Sequence, residues 1–286
     1  MEEAPVEKGY NIVKIRENLE NSNPQGEMII ASILVGRASE SKSLHSIKKE
    51  ELVKEKFQQL DLSSDTYHSE AEEIMEKTSP NVLLQYIENQ CEKAVLALGD
   101  LENREVSYKY NEKDEQGNTD ILKIYDLGEG TEIVLQETDC ADDSAENSRE
   151  YTVSYTIIVG GTTQGKFSVT NHYNIDKNQI TLTSAEAKEY NWNGPLNVKL
   201  RDTAWRSSQK KASQIGDEIY TGAAFYLTCS KDAVIGSAKT SSGKSRNVSW
   251  NENRTRLHKI YAAVKVKDKK EDNISAETYG KLMCLK

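Results

Sequence analysis

Residues 151–175 read YTVSYTIIVGGTTQGKFSVTNHYNI, and how this stretch folds decides the class of the chain. It contains G-x-x-x-x-G-K, from Gly160 to Lys166, directly after an apolar run, which is where a phosphate-binding loop would stand. Such a loop runs from a strand into a helix whose N–H groups cradle phosphate, and it places Ser or Thr directly after the lysine to hold Mg²⁺. Phe167 occupies that position. The residues beyond it, Phe167, Val169, Asn171, Tyr173 and Ile175, recur every second residue, as do Tyr151, Val153, Tyr155, Ile157 and Val159 before it. Two period-two runs about a Gly-Gly pair predict a β-hairpin, because its turn needs positive φ that side chains resist. The same residues argue against a nucleotide enzyme.

Outward from the hairpin the same period continues. Val106, Tyr108 and Tyr110, then Ile121 to Tyr125, then Ile133 to Leu135, predict further strands, separated by turn residues at 114–119 and 128–130. Residues 176–178 turn the chain into Ile180 and Leu182. Residues 105–192 are therefore expected to form an antiparallel meander. Upstream, the period is helical. Ser79-Pro80 is a helix start, and Leu84, Ile87, Cys91, Ala94, Leu98 and Leu101 mark one apolar face after it. Ser46 caps a second helix carrying Leu52, Val53, Phe57 and Leu60. Ser69-Glu70-Ala71-Glu72 resembles a capping box ahead of Ile74 and Met75. The run MIIASILV at 28–35 is apolar on all sides and is expected to be a buried central helix. It is too short to span a membrane.

Asn-Gly-Pro at 193–195 is strong turn chemistry. Beyond it, short β patterns at 196–200, 223–229, 234–235, 248–250, 260–266 and 282–284 suggest about seven strands. The expected fold is α+β: an acidic unit over 1–192, with helices to 104 and a meander over 105–192, followed by a basic all-β sandwich over 193–286, immunoglobulin-like in the broad sense.

The charge balance divides at the same place. The 286 residues carry a net charge of −9, yet residues 193–286 hold 18 basic against 9 acidic residues, leaving −18 on the remainder. The candidate binding residues are Arg206, Lys210, Lys211, Lys244, Arg246, Arg254, Arg256, Lys265 and Lys267, together with Trp192 and Trp205. Cations beside aromatic rings attract anionic partners and stack on rings or sugars. A bare solvated surface and docking on the acidic half of the same chain are the competing readings.

No catalytic, cofactor or metal set emerges. His68 and Glu72 share a helix face but are only two ligands. His172 is in register with Ser168 and Thr170, without G-x-S-x-G. The acidic run 139–146 lacks calcium-loop spacing, and Glu186 and Glu189 are the nearest thing to a paired-carboxylate site. Cys229 and Cys284 could form a disulfide or remain two buried thiols, and Cys91 is expected to be buried. Tyr-, Thr-, Asn- and Lys-rich strands resemble in composition the exported proteins of Gram-positive surfaces. The expected function is a non-enzymatic, exported or cell-surface protein that binds a protein, a glycan or an anionic surface polymer. Nucleic acid is not expected as a partner. The alternatives are a secreted hydrolase with an unassigned site and a cytoplasmic regulatory protein.

Overall fold

The computed structural model describes residues 10–37, 47–142, 147–192, 194–229, 255–270 and 273–285. Five helices come first: α1 (Ile12–Glu20), α2 (Pro24–Arg37), α3 (Ile47–Phe57), α4 (Tyr67–Glu76) and α5 (Pro80–Leu98). Two antiparallel sheets follow, one of them curled into a half-barrel.

The Ser79-Pro80 start is borne out: proline takes the first turn of α5, and Gly99 caps its end. All six residues of the apolar stripe are buried. The central helix, however, is α5 and not the 28–35 segment. In α2 only one side is covered, by α4 and α5, and Met28 is 65% exposed. An all-apolar stretch of eight residues fixes burial on average but not by face. The expected capping box at Ser69 lies inside α4, whose N-cap is Thr66. There the Thr66 hydroxyl donates to Glu70 at 2.7 Å, and Ser69 instead donates back to the Thr66 carbonyl. Ser46 lies outside the described residues. Helix α1 is capped by Asn11, whose Oδ1 accepts from the backbone of Val13 and Lys14.

The meander is six strands in chain order: β1 (Tyr108–Lys113), β2 (Thr119–Asp126), β3 (Thr131–Ala141), β4 (Ser148–Val159), β5 (Thr162–Asp176) and β6 (Gln179–Tyr190). GGTTQGKF is the hairpin turn expected. Gly160 and Gly161 have φ of 57° and 73° and form the two-residue connection between β4 and β5. The turn is covered by helices, so that a Cβ on Gly161 would stand 2.4 Å from the Ala71 Cβ.

Among the described residues the last third contributes six strands: β7 (Leu196–Leu200), β8 (Trp205–Arg206), β9 (Lys211–Ala212), β10 (Glu218–Cys229), β11 (Thr255–Lys270) and β12 (Asn273–Leu285). The patterns at 234–235 and 248–250 lie outside those residues. Five of the six strands form one sheet, ordered β12-β11-β10-β7 with β8 on β10, while β9 pairs with β6 and extends the meander to seven strands.

Both sheets and α5 share one apolar cluster. Phe167 of β5 lies 5.3 Å from Phe225 of β10, centroid to centroid. Gly165 lets the two layers close up, since a Cβ there would fall 2.6 Å from the Val198 Cγ2. A second cluster covers the other face of the meander, where Ile15 of α1, Leu62 and Tyr67 pack on Leu122, Ile124, Val134 and Ile158.

The inner face of β3 carries two buried carboxylates. Glu137 accepts from the Tyr151 hydroxyl and, at 3.0 Å, from the Gly280 N–H of β12. Asp139 accepts from the Tyr173 hydroxyl at 2.9 Å, from Arg149 at 3.0 Å and from Thr278 of β12 at 3.3 Å. Burial raises the Asp139 carboxyl above its ordinary range, although Arg149 and Tyr173 pull it down. Buried charges survive only when paired in this way. Asp139 is therefore no calcium-loop residue: it belongs to a strand and holds β12 to the meander. Residues 143–146 of that acidic run lie outside the described residues.

Candidate functional site

The outward side of the five-stranded sheet brings aromatic and basic side chains together. Strand alternation puts Ile219, Ala223, Phe225 and Leu227 of β10 into the core, which turns Tyr220, Gly222 and Tyr226 outward. In β11 the buried Ile260, Ala262 and Val264 leave Lys259, Tyr261 and Lys265 outside. The register then places Tyr279, Lys281 and Met283 of β12 beside them, opposite Ala263, Tyr261 and Lys259. Lys199 of β7 stands opposite Tyr226.

Trp205 closes this surface at the β8 edge. It pairs with Gly222, and its indole lies flat over that glycine, where a Cβ would approach the Trp205 Cζ2 to 2.7 Å. Tyr261 stands edge-on between Trp205, at 5.9 Å, and Tyr220, at 5.8 Å. The Lys259 ammonium is 5.9 Å from the Trp205 ring, within cation–π range. Tyr226 and Tyr279 are each 36% exposed and Met283 40%. Tyr279 donates to Glu218, and burial first, then that hydrogen bond, push its hydroxyl up to about 12. Lys265 faces Glu218 on one side and Glu277 on the other, so charge at this end is balanced. Lys199, Lys259 and Lys281 make no ion pair among the described residues. The result is a band of five aromatic rings with three ammonium groups that make no ion pair among the described residues.

A scan against protein-family models, a search of curated proteins and a search of solved structures each found no match to this chain. The surface has to be read on its own chemistry.

The residues expected from sequence are scattered by the structure. Trp205 and Lys265 belong to the aromatic band, and Lys267 is exposed at the β-bulge that follows Val266. Arg206 is exposed but reaches the other way, donating to the Thr183 carbonyl at 3.0 Å and tying β8 to β6. Lys210 and Lys211 are exposed at the β9 edge of the meander. Arg256 is half-buried in register with the core residue Leu227. Trp192 is half-buried against the apolar cluster and folds over Gly194. Lys244, Arg246 and Arg254 lie outside the described residues.

Charge alone does not mark Tyr220, Tyr226, Tyr261, Tyr279, Lys199, Lys281 and Met283. The signal was available in the alternate positions of β10, β11 and β12, opposite the apolar ones.

The other candidates dissolve in the geometry. The His68 Nε2 lies 3.2 Å from the Asn18 carbonyl. Ser168 is four residues from His172 on one strand, about 13 Å at strand rise, and the near neighbour of His172 is Glu150 at 3.8 Å. Glu186 pairs with Lys188 at 3.1 Å, while Glu189 turns to β7 to accept the Leu200 N–H. All four cysteines are free thiols, with Cys91 and Cys229 buried. Cys284 pairs across to His258, and Cys229 lies one strand further over and four residues along, too far to bridge to it. No helix of the described residues is long and apolar enough to cross a membrane.

Proposed function

We propose that this chain is a non-enzymatic, exported or cell-surface binding protein, and that the outward face of its five-stranded sheet holds an anionic glycan. The observation that carries this reading is the interleaving, on one sheet face, of two exposed and three half-buried rings with lysines that make no ion pair among the described residues. Ring faces stack on the C–H faces of sugars, and ammonium groups meet carboxylate or sulfate. The excess of nine positive charges over residues 193–286 favours a polyanion as the partner of this part of the chain. The basic part packs on the acidic part through the shared apolar cluster and hydrogen bonds such as those of β12 to Glu137 and Asp139, but among the described residues no ion pair crosses from 1–192 to 193–286, so that packing leaves its cations available. The immunoglobulin-like sandwich expected over 193–286 alone has one described sheet there, and in the same reading its second layer is the meander, with Phe167 and Phe225 between them.

The test uses the full chain with a uronic-acid polymer, a neutral glucan and single-stranded DNA, at low and physiological salt. Binding to the uronate polymer should weaken steeply with salt, and it should weaken at least tenfold in Tyr261→Ala and in the Lys259→Ala/Lys281→Ala double variant. A preference for DNA, or binding that ignores both variants, would refute the assignment.

A further inference from the structure

The outer face of the meander changes character along its strands. Where α1 and the segment before α4 cover it, the outward residues are Leu122, Ile124, Val134 and Ile158. Where no helix of the described residues covers it, β3 continues outward as Gln136 and Thr138, and β4 as Thr156, Ser154 and Thr152. The register assembles these into cross-strand rows. Gln136, Ser154, Ser168 and Lys188 form one row, and Thr138, Thr152, Thr170 and Glu186 form the next. Lys166 lies beside the first row, between Thr156 and Tyr190.

Gln136, Thr138, Thr152, Ser154, Lys166, Ser168 and Lys188 line a shallow depression of about 390 Å³, whose rim also holds Tyr190, bonded to Glu27 of α2, and Glu189, whose carboxylate is engaged by the Leu200 N–H. Thr152 and Thr170 satisfy each other at 2.8 Å, and Lys188 is neutralised by Glu186. Gln136, Thr138, Ser154, Ser168 and Lys166 have no side-chain partner among the described residues, although Ser154 is only 6% exposed. An ordinary solvated strand face carries long charged side chains at such positions. Here the centre is a group of short hydroxyls and an amide, with one free ammonium at its edge.

We infer that this depression is a second binding site, for a single sugar unit bearing a carboxylate or sulfate. The Lys166 ammonium would take the anionic group, and Gln136, Ser154 and Ser168 would exchange hydrogen bonds with the sugar hydroxyls. A buried hydroxyl left with only water gains from such an exchange. This site lies on a different sheet from the aromatic band and does not depend on what that band binds.

Calorimetric titration of the full chain with glucuronate, glucose and sodium sulfate tests it, with circular dichroism confirming that each variant is folded. Glucuronate should bind more tightly than glucose or sulfate. Lys166→Met should weaken it about tenfold, and Ser154→Val/Ser168→Val should weaken it further. Lys77→Ala, on the exposed side of α4, should leave it unchanged. Absence of binding of all three probes at millimolar concentration would overturn the assignment. So would glucuronate binding that survives Lys166→Met but is lost in Lys259→Ala/Lys281→Ala.

Discussion

Replacing Glu132 by Gln should change how the stability of the fold responds to pH. Glu132 lies on β3 beside a small cavity lined by Phe57, Leu60, Tyr67 and Asp126, and the Tyr67 hydroxyl donates to it at 3.4 Å. Burial, and secondarily the charge of Asp126, push its carboxyl from 4.5 up to about 8. Between those values the folded chain holds a proton that the unfolded chain has released. Stability from this group is therefore fully present below about pH 4.5 and is lost as pH rises toward 8. A full proton difference gives a slope of about 1.4 kcal/mol per pH unit. One edge of Glu132 meets solvent, so about half that slope is expected, or about 2 kcal/mol between pH 5 and 8. The glutamine amide keeps an acceptor for Tyr67 and carries no charge.

Urea unfolding of both proteins at pH 5, 6, 7 and 8 isolates the effect, because every other titrating group cancels in the difference. The stability of the native protein relative to Glu132→Gln should fall steadily across that range. A difference that stays flat with pH, at unchanged urea slope, would show that Glu132 is ionised in the fold and refute the argument.

His258 should act in the opposite sense. It is fully buried, neither ring nitrogen has a hydrogen-bond partner among the described residues, and burial, then Arg256, lower it to about 4. The native chain should therefore lose stability as pH falls from about 6.5 through 4, and His258→Leu should remove that loss and add about 1 kcal/mol at pH 7 in urea melts. Gly280→Ala should cost about 1–3 kcal/mol, since the added Cβ would stand 2.7 Å from the Val153 Cγ1 and push β12 off Glu137; thermal melting checks this. Cys140, the exposed thiol, should be the first alkylated in the native protein, as peptide mapping would show. Its reaction should be slow at neutral pH, because burial of its base and Glu150 raise the thiol.

How much of this was readable beforehand depends on whether the signal was local. The hairpin at Gly160-Gly161 and helix α5 are fixed by period and by turn or cap chemistry within a few residues, and both form as read. Helix α2 defeated the same method because MIIASILV has no polar side to mark its exposed face. Asp139 read as part of an acidic loop, since the partners that make its burial tolerable, Tyr173 and Thr278, are 34 and 139 residues away. The candidate surface failed for a related reason. Lys265 and Trp205 stood out individually, but the band exists only when β8, β10, β11 and β12 are in register, and sheet order is not written in any one strand.

The carboxylates of β3 also set an order of events for the growing chain. Gly280, which completes the shell around Glu137, lies 143 positions downstream of it, and the Ala262 carbonyl that meets Asn171 lies 91 positions downstream of that residue. Closing such long loops costs entropy before any contact repays it, which places this topology among slow folders. During synthesis the meander, with α5 already made and able to cover part of its apolar inner face, must wait with Glu137 and Asp139 still hydrated and the rest of that face open. That waiting intermediate, rather than the finished molecule, is where a chaperone would find something to hold.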